Sequence, residues 1–171
     1  VAHRRAVVHA VGVGHDAGVV DVLAVLLEAA VQVADVGARP AHDLAVGPGQ
    51  NEFVASNPWS LAQAYAEREI AWPRAIVADG TVVGFIMLQF DPDDDDGRPF
   101  QLWRLMIAAD HQGKGYGRAA VALGVEECRR RNATELFTSW VPGAGGPEGF
   151  YLGLGFEPTD WKARTWFGAL T

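Results

Sequence analysis

Residues 102–131, LWRLMIAADHQGKGYGRAAVALGVEECRRR, constrain this chain more than any other segment. An apolar run of strand length passes into a turn holding Gly113, Gly115 and Gly117, and then into a run with helical spacing of apolar residues. A helix starting there leaves its first backbone N–H groups without internal acceptors, and those groups together with the helix dipole favour an anion. Glycine lets the backbone approach a phosphate closely and adopt positive φ. Lys114 and Arg118 add mobile positive charge, so the segment reads as a pyrophosphate site. Two familiar phosphate patterns fail: no Ser or Thr follows Lys114, and the dinucleotide spacing would need glycine where Arg118 stands. What remains is Q-x-x-G-x-G, formed by Gln112, Gly115 and Gly117.

The surrounding patterns predict an α/β chain. Strands are expected at Val7–Val13, Ala75–Ala78, Thr81–Phe90, Phe100–Ala108, Leu136–Val141 and Trp161–Leu170, with Asp79-Gly80 as a hairpin turn. Helices are expected at Ala17–Val36, at Leu61 to about Arg68 behind a Ser60/Gln63 capping box, at Tyr116–Arg131, and as a single turn at Glu148–Leu152. Strands in one layer with helices on its faces follow from this order.

With 171 residues the chain has room for one domain rather than two. A net charge of −7 argues against nucleic acid as a partner, because phosphate binding takes a basic face. Asp21, Glu28 and Asp35 interrupt the longest apolar stretch, so no membrane helix is expected. Gly12, Gly14, His15 and Asp16 break the apolar start too early for a secretory leader, and a cytoplasmic setting is expected. Cys128, on a mainly apolar helix face, reads as an inert buried thiol. The five histidines lack ligand spacing, so no metal is expected. The acidic run Asp91–Pro99 reads as a solvated loop tip, and the six tryptophans as core or subunit contacts.

The motif Gln112/Gly115/Gly117 after a strand and before a helix resembles the acetyl-CoA motif of GNAT N-acetyltransferases, and FYLGLGFEPT (residues 150–159) resembles a second segment of that family. QNEFVASNPWSLAQAY (residues 50–65) with VGFIMLQF (residues 83–90) resembles the subgroup that acetylates spermine, spermidine and other diamines. The likeness covers residues 47–170, while residues 1–46, rich in Val and Ala, are atypical for the family. It implies one GNAT domain over residues 1–171, a mixed, mostly antiparallel sheet with helices on both faces, acetyl-CoA as co-substrate, and homodimers as a form common in the family. By the same resemblance the backbone of Leu105, Met106 and Ile107 would pair with the pantetheine arm. Gln112, Gly113, Lys114, Gly115, Tyr116 and Gly117 would hold the pyrophosphate beside Arg118, and Tyr151 would protonate the departing thiolate. The general base stays open between Glu52 and a water held by strand carbonyls near Arg104. Ala144 stands where the family has an Asn that contacts the cofactor. The acceptor expected is a small-molecule amine, a polyamine or diamine. Other acceptors (an aminoglycoside-like antibiotic, an amino acid, a protein amine) and a non-catalytic acyl-CoA-binding module are the alternatives.

Overall fold

Asp79 and Gly80 both take positive φ, 49° and 75°, which is the backbone a tight two-residue hairpin requires. They join β3 (Ala71–Ala78) to β4 (Thr81–Phe90), the hairpin on which a computed structural model of the chain is built. The structure describes residues 4–9, 31–35, 41 and 43–159. The remaining strands are β1 (Arg4–His9), β2 (Gln32–Asp35), β5 (Phe100–Ile107), β6 (Glu135–Trp140) and β7 (Glu157–Pro158). They form one sheet in the order β2-β3-β4-β5-β6-β1-β7, antiparallel throughout except where β5 meets β6.

Two layers of core lie on the two faces of this sheet. Helix α2 (Tyr116–Arg130) covers Ile86, Leu88, Leu102, Leu136 and Trp140 with Ala119, Ala120 and Cys128. Helix α1 (Asn57–Ala66) lies on the other side, where Ala64 and Ala41 meet Phe85, Met87 and Met106. The sandwiched β4 is buried over seven consecutive residues, so it reads as a continuous apolar run rather than an alternating one. Gly84 is required within it, since a Cβ there would stand 2.4 Å from the Met106 carbonyl oxygen of β5. A short helix, α3 (Glu148–Leu152), follows β6 and the loop after it. No helix among the described residues is long and apolar enough to cross a membrane.

Several boundaries differ from expectation. The first helix begins at Asn57, not Leu61, and its N-cap is Ser56, whose hydroxyl accepts from the Trp59 N–H at 3.4 Å. Ser60 is buried instead and donates to the Ser56 carbonyl oxygen at 3.0 Å, so it is no capping residue. Pro58, which reads as a turn signal, occupies the first helical turn, where its missing N–H costs nothing. Strand β3 starts four residues earlier than expected, and among the described residues its Pro73 falls beyond the pairs that join β3 to β2. Residues 32–35, expected to close a helix from Ala17, form strand β2 against β3, because tertiary pairing overrides local spacing. The rest of that helix, residues 10–13 of the first expected strand and the strand expected at Trp161–Leu170 lie outside the described residues. Helix α2 ends at Arg130, and β5 and β6 end one residue short of expectation.

Candidate active site

Parallel strands β5 and β6 pair only at Gln101↔Phe137 and Leu102↔Thr138. Beyond Leu102 they diverge, leaving residues 103–107 without a strand on the β6 side among the described residues. On its other side β5 stays bonded to β4, with Leu105 opposite Ile86, Met106 opposite Phe85 and Ile107 opposite Gly84. The register shifts between Met87 (opposite Arg104) and Leu88 (opposite Leu102), so Trp103 is the extra residue of a bulge at the narrow end of the wedge. An extended thiol arm laid in this wedge would meet a ready strand edge, as when a peptide augments a sheet.

The wide end of the wedge leads to the glycine-rich turn. Gly113 and Gly115 hold φ of 74° and 82°, and Gly115 caps α2 with no side chain satisfying the first N–H groups. Tyr116 begins α2 half-buried, with its ring 6.5 Å from that of His111. The Lys114 ammonium donates to the Asp110 carbonyl oxygen at 3.0 Å, and Arg118 reaches the Gly153 carbonyl at 3.5 Å. A Cβ on Gly117 would come within 3.3 Å of the Phe150 ring, so glycine lets α3 lie against the start of α2. These residues fit a pyrophosphate: uncapped amides, glycine backbone and two flexible cations.

Gln112 plays a different part from its neighbours. Its amide nitrogen donates to the Ile107 carbonyl at 2.9 Å and to Oε1 of Gln50 at 2.7 Å, and its own Oε1 accepts from Gln50 at 3.2 Å. The side chain therefore ties the turn to the segment before α1. Gln50 carried no local signal for this role, since the partners are 62 positions apart.

Tyr151 lies at the narrow end, on the α2 face. It is buried, stacked on Trp140 at 5.4 Å and edge-on to Phe150 and Phe156 at 5.3 and 5.5 Å. Its hydroxyl shares a hydrogen bond with Thr138, whose own hydroxyl donates to the Leu102 carbonyl at 3.2 Å. Thr138 and Leu102 form the last paired rung before the strands part. Burial pushes the Tyr151 phenol up to about 12, with the Thr138 hydrogen bond pulling in the other direction. A phenol so placed keeps its proton across the neutral range.

Glu52 is exposed on the short turn Gln50–Glu52, and no hydrogen bond or ion pair joins it to Tyr151 or Arg104. Its neighbour Phe53 packs on the loop that carries Ala144: Cβ atoms built on Gly143 and Gly146 would lie 3.0 and 3.1 Å from that ring. Arg104, beside the bulge, turns to the α1 face, where it donates to Oε1 of Gln63 at 2.9 Å. A cavity of about 450 Å³ lies elsewhere, near the start of β5, lined by Arg68, Trp72, Phe90, Phe100 and Arg131 among others; it contains none of the residues expected to act.

The model of the acetyltransferase (GNAT) family matches residues 40–156. The chain is 30% identical over 90 residues to N-acetyltransferase 8F1 of Rattus norvegicus, a match spanning 52% of this chain and 41% of that protein. Among solved structures, a GCN5-related glucosamine N-acetyltransferase region of a fungal multi-domain β-N-acetylglucosaminidase superposes with a TM-score of 0.58 at 15% identity, over 92% of this chain and 20% of that one. A functionally unknown conserved protein of Staphylococcus epidermidis superposes at 0.53 and 11% identity, over 92% of this chain and 57% of that one. At such identities these two likenesses show the fold alone.

Proposed function

The chain belongs to the acetyltransferase (GNAT) family, and we propose from that premise that it transfers the acetyl group of acetyl-CoA to the primary amine of a small molecule. The observation that carries this reading is the position of Tyr151: a buried phenol bonded to Thr138, at the rung where β5 and β6 separate. The co-substrate supplies an activated acetyl thioester. The uncapped N-terminus of α2, with Lys114 and Arg118, holds the pyrophosphate. The β6-facing edge of Leu105, Met106 and Ile107 aligns the arm, and Tyr151 meets the sulfur at the narrow end.

The amine attacks as a neutral base, forming the C–N bond as the C–S bond breaks. Tyr151 gives its proton to the sulfur, and the amine's surplus proton leaves through water. An alkylammonium of pKa about 10 is neutral in roughly one molecule per thousand at pH 7, so removing that proton is part of the work. Glu52 sits too openly to carry it unaided, whereas carbonyls of the bulge at Trp103 can hold a water there. Among the described residues no activated Cys or Ser stands at the wedge, which favours direct transfer over an acyl-enzyme. The polyamine assignment rests on the likeness of residues 50–65 and 83–90, so the acceptor panel should include spermine and spermidine. Pairing of β1 with β6 supports reading residues 1–171 as one domain.

The test follows CoA thiol release from acetyl-CoA with polyamines, diamines, aminoglycosides and amino acids. Turnover with one acceptor class, strongly reduced in Tyr151→Phe, is expected. Stabilisation by acetyl-CoA with no release for any acceptor would replace the enzyme reading with a binding module.

A further inference from the structure

Arg104 is a half-buried cation with no carboxylate in direct contact. One Nη donates to the Trp103 carbonyl at 2.7 Å and the other to the Gln63 amide oxygen at 2.9 Å, and both acceptors are neutral. Its Nε is buried with no hydrogen-bond partner. Glu67 lies close enough to act on Arg104 through space, but its carboxylate is bonded to the Gln63 amide nitrogen at 3.3 Å and makes no ion pair with the guanidinium. A guanidinium has five N–H donors, and two are used. Charges withdrawn from water are ordinarily paired, and guanidinium fits carboxylate geometry better than any other side chain does.

The location narrows what anion would meet the guanidinium directly. Arg104 directly follows the bulge residue Trp103 and lies on the open edge of residues 103–107. Trp140, Phe150 and Phe156 fill the Tyr151 side of the wedge around the phenol. An amine approaching the acetyl carbon must therefore come from the α1 face, to which Arg104 turns. We propose that Arg104 binds the carboxylate of the acceptor, so that the preferred substrates are amino acids or similar amino carboxylates and polyamines are disfavoured. This rests on the acetyl-transfer reading. A polycation would have to place its charges beside a half-buried positive group, whereas an amino acid brings a directly bonding anion and the nucleophile together.

The test is calorimetry on the full chain saturated with CoA, titrating amino acids, each against its own amide, and spermidine. The acid should bind about tenfold tighter or more than its amide, the scale of one charge-assisted pair. Arg104→Met should abolish that difference and Arg104→Lys retain part of it. Gln63→Leu, which removes the link to α1 but keeps the cation, should preserve it. Acetyl-CoA should raise the melting temperature of each variant as it does for the parent, which reports that the wedge is intact. Equal binding of acid and amide, tighter binding of spermidine, no binding of any amino acid, or loss of discrimination in Gln63→Leu as complete as in Arg104→Met would each overturn the proposal. Discriminating binding without CoA release in a parallel acetyl-CoA assay would overturn the transfer reading and leave the Arg104–carboxylate contact standing as a binding site alone.

Discussion

The side-chain amides of Gln50 and Gln112 bond each other twice, at 2.7 and 3.2 Å, across the 62 residues that separate them. Each is anchored again by backbone, Gln50 by the Gly47 N–H at 2.9 Å and Gln112 at the Ile107 carbonyl at 2.9 Å. The first residue of the glycine-rich motif thus sets where the turn stands relative to β5 and α1. Gln50→Leu and Gln112→Leu should each cost about 1–3 kcal/mol of stability and raise the KM for acetyl-CoA. Because they share two bonds, the double variant should cost about 1 kcal/mol less than the sum, which urea unfolding of all four proteins measures.

Tyr151→Phe removes one hydroxyl from a packed aromatic cluster, so the fold should persist. The rate of CoA release should fall about 10²–10⁴-fold, the usual worth of a placed general acid, with little change in acetyl-CoA binding. The pH profile follows from the raised phenol. An acid pushed up to about 12 keeps its proton while the amine acceptor loses one, so kcat/KM should rise with pH and show no falling limb up to pH 10. A falling limb between pH 8 and 9.5 that disappears in Tyr151→Phe would contradict the environment described for this residue.

The turn, the hairpin and the two main helices were legible because each carries a local cause. Asp79-Gly80 requires positive φ, and α2 shows apolar spacing behind three glycines. The start of α1 was misread because Ser60 and Gln63 satisfy a capping pattern, yet one is buried under Ser56 and the other is the partner of Arg104. Gln50, Thr138 and Arg104 went unassigned for one reason: their roles arise where β5, β6 and α1 meet, and nothing in their own neighbourhoods signals that. Spacing alone would have placed Tyr151 in the core, and it is in the core; its bond to Thr138 is what ties it to the wedge.

Cys128 gives a stability prediction at alkaline pH. Burial first, then the nearby Glu127 charge, push its thiol from 9.0 up to about 12, while Arg131 pulls it back. The unfolded chain releases this proton near pH 9 and the folded chain does not. The contribution is therefore complete below pH 9 and is lost as pH rises from 9 towards 12. Tyr151 adds a similar loss beginning near pH 10. Stability should drop by about 1 kcal/mol between pH 9 and 10, and Cys128→Ala should flatten that interval while leaving the steeper loss above it. Urea unfolding at pH 8, 9, 10 and 11 separates the two groups.

Gly84 ties the packing of β4 to the site. A Cβ there would meet the Met106 carbonyl oxygen at 2.4 Å, Ile107 Cδ1 at 2.8 Å and Ile76 Cδ1 at 3.1 Å. The two methyl groups can turn away, but the carbonyl belongs to the ladder joining β4 to β5 and moves only if β5 moves. Gly84→Ala should therefore destabilise by about 2 kcal/mol or more, despite alanine's being the better residue in an extended chain. Displacing β5 at residues 106–107 also shifts the carbonyl that receives Gln112, so acetyl-CoA binding should weaken beyond what the stability loss explains. Gly149→Ala is the matched control: it lies in α3 with nothing within 4 Å of the new methyl group, and should be neutral or stabilising by up to about 1 kcal/mol. Thermal unfolding with and without acetyl-CoA reads both effects. A Gly84→Ala protein with unchanged melting temperature would mean that β5 sits farther from β4 than the ladder described here allows.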